Sequence, residues 1–140
     1  MPNEALLTTA NDLRIACQRV SRRVRYESTS ELAPHLASAL AHLNDRPLTP
    51  GELAEIERVA PPSMTRTTNC LVERGLVVRE DHPSDGRSKV LRLTEAGREA
   101  LARIRRARDD WMVHQLEGLT KEELKLLKNA TELLNRVVAR

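Results

Sequence analysis

Aromatic residues are almost absent from this 140-residue chain, which contains one Trp, one Tyr and no Phe. Leu, Val and Ala must therefore fill the hydrophobic core of what its length predicts to be one domain. Proteins that bind RNA or single-stranded DNA use aromatic side chains as stacking platforms for bases. The scarcity of aromatic residues therefore argues against both of these binding classes.

Cysteines are few as well, and long apolar runs are missing. Cys17 and Cys70 have neither CxxC spacing nor a His nearby, so they predict no zinc site and no disulfide framework. No run approaches the roughly 20 apolar residues of a membrane span, and the N-terminus lacks a signal-peptide pattern. We therefore expect a cytoplasmic protein without a membrane partner. We expect no metal site, because the histidines are scattered along the chain: His35, His42, His82 and His114. No other cofactor is expected.

Apolar residues recur at spacings of three and four near both ends of the chain, which predicts long helices. The first covers residues 4–27, and its apolar positions are Leu6, Ala10, Leu13, Cys17, Val20 and Val24. Thr94 is expected to cap a helix that ends near Gly118 and spans roughly 35 Å, more than a small lobe can cover. Thr120 begins a final helix with a clear seam: Leu124, Leu127, Thr131, Leu134 and Val138.

Residues 32–93 between these helices predict a smaller lobe that contains a helix-turn-helix. After a Ser/Thr break, Pro34 lies in the first turn of a second helix. Thr49, Pro50 and Glu52 form a strong helix-start signal, because Thr caps the helix and Glu closes a capping box. The pair Pro61-Pro62 ends that short helix and opens the next, which runs to Arg74 and ends at Gly75. Two short helices joined by a tight turn predict a helix-turn-helix.

A change from helical to alternating periodicity after Gly75 predicts a β-hairpin. Residues 76–79 are mostly apolar and β-branched, and residues 89–93 alternate, with Leu91 and Leu93 on one face. The polar segment 82–88 between them contains an Asp-Gly turn signal. A hairpin that directly follows a helix-turn-helix is typical of a winged helix. The predicted fold is therefore mainly α with a small β-wing.

Positive charge is concentrated in this lobe. From Arg58 to Arg92 there are six Arg and one Lys against four acidic residues. A basic patch on one face is expected of a protein that binds duplex DNA. A solvated charged surface would have the same composition, and charge alone does not decide between the two.

Three segments of this chain resemble motifs of a known family. Asp85 and Arg87 are followed after six residues by Thr94, residues 73–77 lead from a predicted helix into a strand, and residues 62–66 begin the second helix of the helix-turn-helix. These segments resemble the wing signature, the helix-to-strand junction and the start of the recognition helix of the MarR family of winged-helix transcription regulators. The resemblance extends over nearly the whole chain, with one departure: Gly86 stands where many members carry a second Arg.

The resemblance implies a single domain over residues 1–140, with a DNA-binding lobe at 32–93 and dimerisation helices at 4–27 and 95–139. It implies a homodimer that binds a palindromic duplex, with a small-molecule effector possible but its site unassigned. Trp111 lies where family members often place such a pocket, although a lone Trp at helical spacing is more often a core residue. The alternative to the dimer is a monomer in which the terminal helices add an extra hydrophobic layer. The helix that begins at Thr94 disfavours this alternative, because it is longer than the lobe.

Candidate DNA contacts are assigned to two elements. On the second helix of the helix-turn-helix, helical spacing predicts one outward face: Pro62, Ser63, Thr65, Arg66 and Asn69. Arg66 can pair with guanine, Asn69 with adenine, and the two hydroxyls with phosphates. At the wing, Arg87 is expected to enter the minor groove with support from Lys89, and Asp85 to orient Arg87.

Other functions are weaker interpretations of the sequence. A redox sensor is one alternative, because Cys70 is predicted close to the DNA-facing side of its helix. A winged-helix module that binds protein is another, but it predicts an apolar or acidic outward face. An enzyme is disfavoured, since the sequence shows no phosphate-binding loop, catalytic triad spacing or paired carboxylates.

Overall fold

The computed structural model describes residues 3–28 and 31–139. These residues form six helices and one two-stranded sheet, in the order α1 Glu4–Glu27, α2 Pro34–Asp45, α3 Pro50–Glu57, α4 Pro61–Glu73, β1 Val77–Asp81, β2 Lys89–Leu93, α5 Glu95–Leu116 and α6 Lys121–Val138. The fold class is the predicted one, mainly helical with a small wing. Thr29 and Ser30, within the predicted Ser/Thr break, lie outside the described residues.

Helices α2, α3 and α4 enclose the hydrophobic core together with the sheet and the first half of α5. Leu40, Leu53, Leu71 and Ile104 are among its fully buried side chains. Leu and Ala dominate this core, as the scarcity of aromatic residues required. The core therefore holds the helix-turn-helix and the hairpin as one lobe.

The hairpin begins one residue later than the sequence predicted. The amide of Leu76 donates to the carbonyl of Leu71 at 3.0 Å, and the amide of Gly75 donates to the carbonyl of Val72 at 3.0 Å. With Gly75 at φ +73°, this is a Schellman motif, so Leu76 still belongs to the end of α4. Strand β1 then pairs antiparallel with β2, with Val77 opposite Leu93.

Helices α1 and α6 contribute no buried residue to the described structure. Helix α1 has the predicted bounds, begins at the side-chain cap of Asn3 and packs on α5. Ile104 is the last buried residue of α5, so the second half of that helix extends beyond the lobe as predicted. No helix in residues 3–28 or 31–139 is long and apolar enough to cross a membrane.

Candidate nucleic-acid interface

Helix α3 is held by the capping box that the sequence predicted. The amide of Glu52 donates to Thr49 Oγ1 at 3.1 Å, and the amide of Thr49 donates to Glu52 Oε1 at 3.2 Å. Arg46 also bonds the Glu52 carboxylate, and these bonds hold the pKa of Glu52 below its ordinary value, with the backbone bond as the largest cause. The helix ends at Arg58, whose left-handed backbone (φ 54°) turns the chain towards α4.

Helix α4 divides into a buried side and an exposed side. Met64, Thr68 and Leu71 are buried against the lobe. The residues predicted to face DNA lie on the other side: Pro62, Thr65, Arg66 and Asn69 are exposed, and Ser63 is half-buried. Cys70 differs from the expectation, because it is half-buried and packs against the core.

The polar residues of the exposed side are partly organised within the helix. Arg66 Nη2 donates to Ser63 Oγ at 3.3 Å, and Thr65 Oγ1 donates to the Pro61 carbonyl at 3.0 Å. Arg66 has no acidic partner among the described residues. Its charge is therefore available to a ligand outside the protein.

Asn69 is contacted by a residue that the sequence reasoning did not include. Arg79 on β1 donates a hydrogen bond from Nη2 to Asn69 Oδ1. The alternation of side chains along a strand could have predicted this contact, because Arg79 lies on the same face of β1 as the buried Val77. That face packs towards α4, so Arg79 reaches the helix.

The tip of the wing is shaped by Asp85. Its Oδ1 accepts from the backbone amide of Arg87 at 3.0 Å, and its Oδ2 accepts from Ser88 Oγ at 3.4 Å. Asp85 therefore orients Arg87 through the backbone of an Asx-turn and makes no ion pair with its guanidinium. The Arg87 side chain has no hydrogen bond or ion pair within the described part of the chain.

Two ion pairs join the strands of the wing behind this tip. Lys89 bonds Asp81, and this hydrogen bond lowers the pKa of the Asp81 carboxyl from its ordinary value. Arg92 Nε lies 2.8 Å from Glu80 Oε2. The charge of Lys89, predicted to support binding to DNA, is thus paired with Asp81, whereas the guanidinium of Arg87 makes no ion pair among the described residues.

A cleft lies where α1, α2 and α5 meet the end of α3. It has a volume of about 380 Å³, and three arginines line it: Arg25, Arg105 and Arg108. The buried Nε of Arg108 has no hydrogen-bond partner among the described atoms. Ser38 and Glu57 also line the cleft and are joined by a 2.6 Å hydrogen bond, which connects α2 to the end of α3.

Comparisons with known proteins identify the family of the chain that forms this lobe. Residues 33–88 match a family model described as MarR family. An HTH-type transcriptional regulator of Mycobacterium tuberculosis is 40% identical over 131 residues, which cover 92% of each chain. The chain belongs to the MarR family.

Solved structures share the fold of this MarR-family protein over nearly its full length. A protein of Pseudomonas aeruginosa superposes with a TM-score of 0.86, 26% identity and 99% coverage of both chains. A point mutant of Staphylococcus aureus MepR, bound to an oligodeoxyribonucleotide, has a TM-score of 0.66 and 18% identity over 92% of this chain and 97% of its own.

Membership in the MarR family decides between the functions that the sequence left open. The protein is a DNA-binding transcriptional regulator with a winged helix-turn-helix, and it is not an enzyme. This family function favours DNA over protein as the ligand of the exposed side of α4. Redox sensing through Cys70 stays an untested alternative.

Proposed function

We propose that this MarR-family protein is a cytoplasmic homodimer that represses transcription by occupying a palindromic operator. In each protomer, α4 enters the major groove and the wing tip reaches the adjacent minor groove. The base contacts are assigned to Arg66 and Asn69, and the phosphate contacts to Ser63 and Thr65, beside Pro62. Arg87 supplies the minor-groove contact, Lys89 assists it, and Asp85 shapes its turn.

The apolar surface of the terminal helices is the observation that carries the dimer. Leu6, Leu13 and Val20 on α1 are exposed in the protomer, as are Leu124 and Leu127 on α6. At 100° per residue, the apolar positions of α6 cover roughly half of its circumference. So large an apolar surface is rarely left in water, and a two-fold dimer would cover it while presenting two copies of α4 to a palindrome.

A double substitution tests the dimer. Leu127→Glu with Leu134→Glu places two carboxylates in the apolar seam, so we expect monomers by light scattering and loss of operator binding. Lys125→Glu is the control, because it adds a carboxylate to the opposite face of α6 and should leave the dimer intact. A wild-type protein that is monomeric at micromolar concentration would contradict the proposal.

Genomic footprinting tests the operator and the repression. We expect protected sites that contain an inverted repeat with half-site centres about one helical turn, roughly 10 base pairs, apart. Transcription from the adjoining promoters should rise when the gene is deleted. Protection of asymmetric sites, or a fall in transcription, would contradict this part of the proposal.

The arginine-lined cleft supports a response to a small organic anion. Arg25, Arg105 and Arg108 supply three positive charges, and an anion would satisfy the orphaned Nε of Arg108. Benzoate is a simple probe: it should raise the melting temperature, whereas the uncharged benzamide should not. Arg108→Gln should remove the difference. Equal effects of both compounds on the wild-type protein would exclude an anion site.

A further inference from the structure

The bond between Arg79 and Asn69 joins the wing to α4 on the exposed side of both elements. Asn69 lies among the residues proposed to contact bases, and Arg79 follows it by ten residues, on β1. Both side chains are exposed, so the pair lies at the surface that would meet DNA. Asn69 therefore does not contact a base independently of the wing, because one of its hydrogen-bonding atoms already bonds Arg79.

The chemistry of the pair fixes which end of the amide faces outward. A guanidinium only donates hydrogen bonds, and the oxygen is the sole acceptor of an asparagine side chain. The carbonyl of Asn69 must therefore face Arg79, and its NH₂ group is turned away. Without such a partner, the terminal torsion of asparagine is broad and roughly two-fold, so oxygen and nitrogen exchange places readily.

Both backbones that carry the pair are anchored in the core. Thr68 and Leu71, on either side of Asn69 in sequence, are 2% and 1% exposed. Arg79 is opposite Leu91 in the sheet, and Leu91 is 1% exposed. The Schellman turn at Gly75 sets the path from helix to strand. The relative position of the two side chains is therefore determined by packing of the lobe.

We propose that Arg79 is a positioning residue for specificity, which makes Asn69 a donor to the base it faces. This inference rests on the proposed placement of α4 in the major groove. In that groove, purines present N7, guanine also presents O6 and thymine presents O4 as acceptors, whereas cytosine presents only its N4 amino donor. Asn69 thus disfavours cytosine at one position of each half-site and tolerates the other three bases. This preference is less selective than the adenine contact expected from sequence.

Selection from a library of randomised duplexes tests the proposal. The wild-type protein should deplete cytosine at one position per half-site, and Asn69→Ala identifies that position because its preference there is lost. Arg79→Met should raise the relative affinity for cytosine there about fivefold, the scale of one hydrogen bond, and leave the other positions unchanged. Arg79→Lys keeps a donor and should keep the depletion.

Two further variants separate specificity from charge. Arg92→Met removes the same charge from the neighbouring strand, where Arg92 pairs with Glu80, and should leave cytosine depleted. Asn69→Asp keeps the bond to Arg79 but turns an acceptor outward, so cytosine should become the preferred base at the same position. This inversion is a gain of preference that damage to the fold cannot produce.

Three results would each contradict a different part of the inference. If Arg79→Met lowers affinity for all duplexes equally and retains the cytosine depletion, Arg79 is a phosphate contact and the inference is wrong. If Asn69→Asp does not favour cytosine, Asn69 is not oriented as inferred. If the wild-type protein enriches no motif at all, the proposed function itself fails, and this inference fails with it.

Discussion

Gly97 in α5 lies directly against the carbonyl oxygen of Leu76, so that a Cβ atom at residue 97 would be 2.1 Å from that oxygen. The same carbonyl accepts a hydrogen bond from the Thr94 amide at 3.1 Å. Thr94 Oγ1 donates to the Gly75 carbonyl at 2.6 Å and accepts from the Gly97 amide at 3.0 Å. The first turn of α5 is therefore fastened to the junction between α4 and β1.

Gly97→Ala should destabilise the protein because its methyl group would push against backbone. Alanine is otherwise preferred to glycine in helices by roughly 1 kcal/mol, but the overlap with Leu76 should outweigh this gain. We expect a net loss of about 1–3 kcal/mol in the free energy of unfolding, measured in urea. Gly118→Ala is the control, since a Cβ there meets nothing within 4 Å. Equal stabilities of the two variants would refute the close contact.

Arg66→Ala should weaken specific binding by about 1–3 kcal/mol per half-site, as expected for a lost bidentate base contact. Preference at one base position should relax, because Arg66 is proposed to read guanine. Competition between specific and scrambled duplexes measures this effect. Lys125→Ala, which removes one charge from α6, controls for general electrostatics. An unchanged ratio of specific to scrambled affinity would show that Arg66 is not a base reader.

Arg87→Ala should weaken binding strongly, because the guanidinium of Arg87 makes no ion pair within the described residues and is free to bind phosphates. The slope of the logarithm of affinity against the logarithm of salt concentration should become shallower by about one per subunit. Preference for A·T-rich flanks should fall as well. Asp85→Ala should do less harm, since it loosens the turn around Arg87 without removing the charge. Titrations across salt concentrations compare the two variants. If Arg87→Ala keeps its affinity and salt slope, the wing does not touch DNA.

Glu52→Gln should make the protein less stable at neutral pH, and this deficit should shrink in acid. The pKa of Glu52 in the folded state lies below its ordinary value of 4.5. The stabilisation that the ionised Glu52 carboxylate gives to the folded state is therefore present above pH 4.5. It is lost as the pH falls through the lower pKa of the folded state. Urea unfolding from about pH 6 to about pH 3 measures the difference. Glu55→Gln, which removes a carboxylate outside the capping box, is the control; a pH-independent deficit for Glu52→Gln would contradict the assignment.

The helix boundaries were largely predictable from sequence because they depend on neighbouring residues. Thr49 and Glu52 cap α3 through bonds that span three residues, and Thr94 caps α5 in the same way. Gly75 takes the left-handed conformation that its place after α4 predicted. The start of β1 was misplaced by one residue, because the Schellman bond of Leu76 outweighs the strand preference of its side chain.

The sequence alone thus determined the helices, the wing and the outward side of α4, all through periodicity and caps that act over one or two turns. Only the tertiary structure decided how polar residues of separate elements are paired: Asn69 with Arg79, and Lys89 with Asp81. These two pairs depend on how α4 packs on the hairpin and on strand register. Packing brings residues from separate elements together, and local propensity does not determine the distances between such residues.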